Sequence, residues 1–226
     1  MYIGEIMIKL KKILPGYAYI PLIASVLLNI LVYSGNRFIT VNMYHFDFSI
    51  LPDSKIPFVA PMIIFYILSY FTWIIGFIII ARESREVCYE IMSAEQFAKL
   101  LCLVCYLSIP TTMVRADITG NGPFEWLTKL IYTADRPDNL FPSIHCLESW
   151  MCFKGALRCR KVGRYYKIFM FIFALLVFAS TVFVKQHVLV DILGGIAVVE
   201  ISLFLTRKIR YLNIYKLFNK QVIHER

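Results

Sequence analysis

Apolar runs recur at about 17–33, 56–81, 97–114, 146–157, 168–184 and 188–206, and the segments between them are too short to hold a water-soluble domain. The 226 residues are 59% hydrophobic, with a mean hydropathy of +0.66, well above an ordinary soluble domain. A chain of this kind must satisfy its backbone polar groups internally, which in helical segments means one bundle of spans. The expectation is a single all-α membrane domain over residues 1–226, an integral bundle of six transmembrane helices. The fourth run is weak in hydropathy. It reaches the spanning length of about 20 residues only if it begins near Pro142, with Ser143, His145 and Glu148 at one end. Polar groups at that depth face a bundle interior or a wet cavity and are functional candidates by default.

Charge placement orients the bundle. Formal charge is +9, from 24 Lys+Arg against 15 Asp+Glu. Six bases and no acid fall between Lys154 and Lys167, and another basic group closes the chain from Arg207 to Arg226. Basic segments between apolar runs suit retention beside anionic lipid on the cytoplasmic side and argue against a nucleic-acid partner. With six spans, the side holding both termini carries 18 of the bases, counting Arg82, Arg85 and Lys99 in an 82–99 loop. The opposite side carries Arg37, Lys55, Arg115, Lys129, Arg136 and Lys185. Both termini are therefore expected in the cytoplasm of a multi-pass plasma-membrane protein, and a bacterial cell membrane fits the small size.

Other signals are weaker. Residues 1–16 mix Ile, Met and Leu with lysines as an amphipathic surface segment does, and the first apolar run reads as an uncleaved anchor. Cys102 and Cys105 form a C-x-x-C within an apolar helix with no second ligand pair nearby, so packed thiols are expected instead of a metal site. Residues 115–141 form the longest outer segment. Within it, 123–133 reads as a short surface helix carrying Trp126 and Tyr132.

Three polar clusters remain, all on the outer side. Lys129 and Arg136 are seven residues apart, two turns on one helix face, and two cations there make a phosphate clamp. Ser143 and His145 follow a proline at a predicted helix start, where free N–H groups and the helix dipole favour an anion and a histidine can pass a proton to it. Ser180 precedes His187 and Asp191, which are four apart. A carboxylate at that spacing can fix the imidazole tautomer and leave the other nitrogen as nucleophile.

In order, K-x6-R-P, P-S-x-H and S-x6-H-x3-D resemble the type 2 phosphatidic acid phosphatase superfamily of lipid phosphate phosphatases, with the motif-bearing region at 129–191. Asp53 before Ile56-Pro57-Phe58 is a less specific likeness. The resemblance implies that Lys129, Arg136 and Ser143 hold a phosphate, with the backbone at Ile144 assisting. It implies that His187 attacks phosphorus to give a phosphohistidine, Asp191 orients it and His145 protonates the leaving oxygen, without metal or other cofactor. Two departures stand out: Thr181 occupies the place of the family arginine after Ser180, and Ile144 a place where glycine is common. Lys185 is the nearest cation to make up for the first. Phe141 to His145 and Lys185-Gln186-His187 look like the members related to inositol phosphorylceramide synthases.

Ser180 and Glu148 are accessory candidates, Glu148 lying three residues beyond His145 as a tuning group or half of an ion pair. Glu200, deep in the last run, has no evident partner. The leading expectation is a metal-independent lipid phosphatase cleaving a lipid phosphomonoester or pyrophosphate at the outer leaflet. A lipid phosphotransferase using the same residues is the alternative, and a binding or transport module that kept the pocket is a third.

Overall fold

The computed structural model describes residues 14–209 and Tyr215. Most of the amphipathic segment 1–16 and the closing basic residues from Arg210 onward lie outside the described residues. Helix α1 (Tyr19–Ile30) continues through a π-turn at Leu31–Gly35 into α2 (Arg37–Thr40). A short α3 (Leu51–Lys55) precedes α4 (Ile63–Glu83) and α5 (Arg85–Ser108). Then come α6 (Pro123–Ala134), α7 (Ile144–Arg158), α8 (Arg164–Phe183) and α9 (Leu189–Lys208). Two-residue strands β1 (Phe46–Asp47) and β2 (Thr111–Thr112) pair in parallel and tie two interhelical loops together.

Five helical segments are long and apolar enough to cross a membrane: Gly16–Thr40, Ala60–Glu83, Arg85–Ser108, Arg164–Phe183 and Leu189–Lys208. The molecule is an integral membrane helical bundle. Exposed apolar side chains stripe its outside, among them Ile20, Ile23 and Leu27 on α1, Phe71, Ile74 and Ile75 on α4, and Leu193 and Phe204 on α9. Such a surface suits lipid and would be a liability in water.

The fourth predicted run becomes α7, only 15 residues and so about 22 Å long. It stands in the middle of the bundle, packed by α4, α5, α8 and α9. Its polarity has a simple cause: a helix shielded from lipid on all sides needs small and complementary residues more than apolar ones. Gly155 lets Ile80 of α4 approach so closely that a Cβ would sit 2.3 Å from its Cδ1, and Gly76 of α4 faces Cys152 in the same way.

Two expectations are corrected by the third run. Residues 82–99 are not a loop, because Ser84 caps α5 by accepting from Val87 N–H at 3.2 Å and the helix starts at Arg85. Lys99 is consequently not a loop cation. It is buried between Glu95, one turn away on α5, and Glu148 of α7 at 2.8 Å, and it donates to the backbone and hydroxyl oxygens of Ser25 on α1. Glu148 is thus half of an ion pair that joins three helices. At the end of the bundle opposite the start of α7, Glu90 receives Arg158 and Arg207 at 3.0 and 2.7 Å, and Lys161 reaches the carbonyls of Arg82 and Glu83. Glu200 also has partners, Lys154 at 2.8 Å and the Trp150 indole N–H at 2.8 Å. All six cysteines are free thiols, Cys102 and Cys105 included.

Gly195 of α9 has the tightest backbone approach to α7. A Cβ there would lie 2.8 Å from the Ser143 carbonyl oxygen and 3.2 Å from the Leu147 nitrogen. Gly195→Ala is therefore expected to cost about 1–3 kcal/mol of stability, as overpacking does. Gly16→Ala, where nothing lies within 4 Å, should stay within about 0.5 kcal/mol of the parent. Thermal unfolding of both variants in detergent checks this, and equal melting temperatures would count against a tight α7–α9 contact.

Candidate active site

The second and third clusters meet where α7 and α9 begin. Ser143 caps α7, its hydroxyl accepting from Cys146 N–H at 3.3 Å, and its own N–H donates to the Asp191 carbonyl at 3.1 Å. His187 precedes α9 by two residues instead of lying in it, and Asp191 sits in the first turn. The pair forms nonetheless: His187 Nδ1 lies 3.0 Å from Asp191 Oδ2, which also accepts from Val188 N–H at 3.1 Å. A carboxylate on Nδ1 holds the proton there and leaves Nε2 with its lone pair.

His145 lies across from it, the two ring centroids 6.2 Å apart. Its ring stacks on Tyr66 at 4.1 Å, its Nε2 is 3.1 Å from the Tyr70 hydroxyl, and Trp73 closes a third side at 5.2 Å. Sequence reading missed these three residues. The available signal was their spacing of four and three on α4, which puts them on one face. Trp73 in turn donates to Ser149 Oγ at 2.9 Å, fixing α4 against α7 one turn below His145.

His187 forms part of the wall of a cleft of about 330 Å³. Ser49, Asp53, Ser54, Arg115 and Lys185 are its polar lining, and Ile50, Ile56, Met113, Val114 and Val182 its apolar lining. Val114 is 84% exposed. Such a mixed lining fits a ligand with an anionic head and an apolar body.

Lys185 stands just past the end of α8 with φ of 53°, the left-handed position where glycine usually ends a helix. The bend points its ammonium at the Asp53 carbonyl, 3.0 Å away. Asp53 itself accepts from Leu189 N–H at 2.9 Å through Oδ1 and from Ile50 N–H at 2.9 Å through Oδ2, so it ties α3 to the start of α9.

Arg115 is the cation that sequence reading passed over. Its guanidinium lies over the Tyr132 ring at 4.4 Å, donates to the Tyr132 carbonyl at 3.0 Å and to Gln186 Oε1, and leaves a buried Nε–H without a partner. Burial pulls its pKa below the ordinary value, the Asp135 carboxylate opposing; a guanidinium remains charged regardless. Its signal was weak because it sits in an irregular loop, outside any recognisable spacing.

The first cluster lies elsewhere. Helix α6 ends at Ala134, so Lys129 and Arg136 do not share a helix face. Lys129 donates to the Gly120 carbonyl at 2.9 Å, and the exposed Arg136 offers its backbone oxygen to Arg37 at 3.3 Å. Neither residue lines the cleft. Ser180 and Thr181 are fully buried, their hydroxyls donating to Val177 and Phe178 carbonyls at 2.7 and 2.8 Å, and Ile144 is buried in the core. Thr181 packs against Cys146, 4.0 Å from its Sγ, in a space without room for an arginine.

A carboxylate-paired histidine and two cations lining one cleft, with a second histidine whose ring centroid is 6.2 Å from the first, are groups that can hold a tetrahedral oxyanion and attack its centre. Lys185→Gly separates charge from backbone, since glycine takes the left-handed turn without strain. Its stability should stay within about 1 kcal/mol of the parent, while inorganic phosphate should bind roughly tenfold more weakly, the scale of one charge-assisted hydrogen bond. Calorimetry in detergent measures both, and unchanged phosphate affinity would remove Lys185 from the binding set.

No curated protein matches the chain, and no solved structure does. The sequence pattern of the PAP2 superfamily, in contrast, matches residues 36–205, which includes α4 to α8, nearly all of α9 and both histidines. The chain belongs to the PAP2 superfamily.

Proposed function

We propose that this protein is a lipid phosphatase of the plasma membrane that hydrolyses a phosphomonoester or pyrophosphate through a phosphohistidine on His187. Membership of the superfamily points to a phosphatase or phosphotransferase acting on phosphate esters. The observation that carries the finer reading is the His187–Asp191 pair at 3.0 Å, with His187 in the wall of a cleft that two cations and several apolar side chains also line. In this reading Arg115 and Lys185 hold the non-bridging oxygens, with the start of α7 at Ser143 and Ile144 nearby. His187 Nε2 attacks phosphorus, the bond to the leaving oxygen breaks, and His145 gives that oxygen its proton. Water then attacks phosphorus, the P–N bond breaks, and His145 takes back a proton.

Helix α7 serves as the sixth span. It is short, but its C-terminal Arg158 pairs with Glu90 near the cytoplasmic start of α5 while its N-terminus meets the site. Both termini are then cytoplasmic and the cleft opens at the outer face, as the basic segments favour. A bacterial cell membrane is the location that fits best. Transfer to a lipid alcohol uses the same steps with an alcohol in place of water, and the likeness of Phe141 to His145 to inositol phosphorylceramide synthase relatives supports it as a second reading.

Phosphate release from phosphatidate, phosphatidylglycerophosphate and undecaprenyl diphosphate, by purified protein in detergent without added metal, tests the reading. His187→Ala should lower turnover by more than about a thousandfold, and Arg115→Gln by about a hundredfold, as loss of a donor to developing charge does. Release that persists in His187→Ala would overturn the nucleophile. Release only when a lipid alcohol is supplied, with a new lipid formed, would favour transfer. A membrane-impermeant maleimide should reach Gly163→Cys from the cytoplasmic side only; labelling from outside would invert the topology.

A further inference from the structure

Between the two histidines and Asp135 lies a second cavity of about 20 Å³, lined by Tyr33, Asp135, Asp138, Asn139, His145 and His187 among others; His187 lines the cleft as well. That volume suits one water. Its walls include several polar groups, and the buried amide oxygen of Asn139 has no hydrogen-bond partner. The reaction gives no role to its carboxylates.

Its principal charge is Asp135. The π-turn in the first span aims Tyr33 at this carboxylate, and Tyr33 donates to its Oδ1. Arg37 donates to the same oxygen at 2.9 Å and to Asp138 at 2.7 Å. Tyr66, whose ring stacks on His145, donates to Oδ2 at 3.3 Å. One arginine thus serves two carboxylates, and Arg115 is a second cation within electrostatic reach of Asp135. Burial pushes the Asp135 carboxyl up, but the Tyr33 hydrogen bond and the charges of His145 and Arg37 outweigh it and hold the group below its ordinary value. The other titratable groups around His145 are Tyr70 on α4, 3.1 Å from Nε2, and His187, whose charged form opposes that of His145.

We propose that Asp135, acting across this water-sized chamber, sustains the protonated form of His145 that the leaving oxygen requires, and is thereby a positioning residue of the reaction. The inference rests on the reading of His145 as the proton donor. A histidine enclosed by three aromatic rings and facing a second histidine is poorly placed to carry a charge. A fixed carboxylate across a small cavity works against that penalty without touching the substrate. Asp135 precedes Arg136 in the first motif, so the part of that motif nearest the histidines is its carboxylate.

Leaving-group dependence tests it, because a proton donor matters for an alkoxide and little for a phenolate that leaves unaided. In full-length protein, Asp135→Asn should lower kcat for phosphatidate by about a hundredfold, the scale of general acid catalysis. Turnover of p-nitrophenyl phosphate should fall by less than about threefold. Asp138→Asn, which also takes a carboxylate from Arg37, should reduce both substrates equally and modestly. Equal losses in Asp135→Asn, or none, would overturn the proposal while leaving the phosphatase reading intact. A parent protein inert towards both substrates would overturn that reading and this inference with it. Should Asp135→Asn not fold, Tyr33→Phe is expected to give the same selective loss at smaller amplitude, and a non-selective loss there would equally overturn it.

Discussion

The crossing of α7 and α9 at their N-terminal ends is the constraint on which the site depends. Ser143 N–H donates to the Asp191 carbonyl, and Gly195 lets the two backbones touch beside that bond. Phe141 fills the space above Gly194, where a Cβ would lie 2.4 Å from its ring. Each helix brings one histidine to this corner, His145 as the second residue of α7 and His187 two residues before α9. A wider crossing would keep every catalytic side chain and still separate the two imidazoles, and catalysis by positioned groups tolerates little such displacement.

The rest of the bundle holds that crossing in place against the lipid. Four helices, α4, α5, α8 and α9, pack around α7, so the helix least suited to lipid is the most enclosed. This arrangement permits polar fastenings inside: the Lys99 ammonium joins Glu95 and Glu148, and with Ser25 it connects α1, α5 and α7. An unpaired charge there would be costly, and a paired one fixes the register of three helices one turn below His145. Tyr106 and Thr111 do similar work on the segment entering α7. Tyr106 donates to the Pro142 carbonyl at 2.6 Å, and Thr111 Oγ1 accepts from Leu140 and Phe141 N–H at 2.9 and 2.8 Å.

Charged groups line both cavities at the site. Lys185 and Arg115 line the cleft together with Asp53, whose carboxylate is taken up by two backbone N–H groups. Asp135 and Asp138 line the smaller cavity beside His145, held by Arg37 and two tyrosines. Thr181 fits this plan: its position faces the packed interior beside Cys146, and an arginine approaching from the 115 loop reaches the cleft instead.

The sequence by itself determined the membrane class, the five long apolar spans in outline, the pairing of His187 with Asp191 and a helix start beside Ser143. Each follows from local spacing or from summed transfer energy, which neighbours in the chain decide. It misread the 82–99 segment because hydropathy counts Glu95 and Lys99 as exposed charges and cannot see that they neutralise each other inside a bundle. It joined Lys129 and Arg136 on one helix face because seven residues make two turns only while the helix lasts, and α6 stops at Ala134. Only the tertiary structure decided that Arg115 and Lys185 line one cleft, that Tyr66, Tyr70 and Trp73 enclose His145, and that Tyr33 and Arg37 reach Asp135 from about a hundred residues away. Those contacts depend on how helices cross, and crossing is set by the shapes of many side chains at once, which no spacing along the chain encodes.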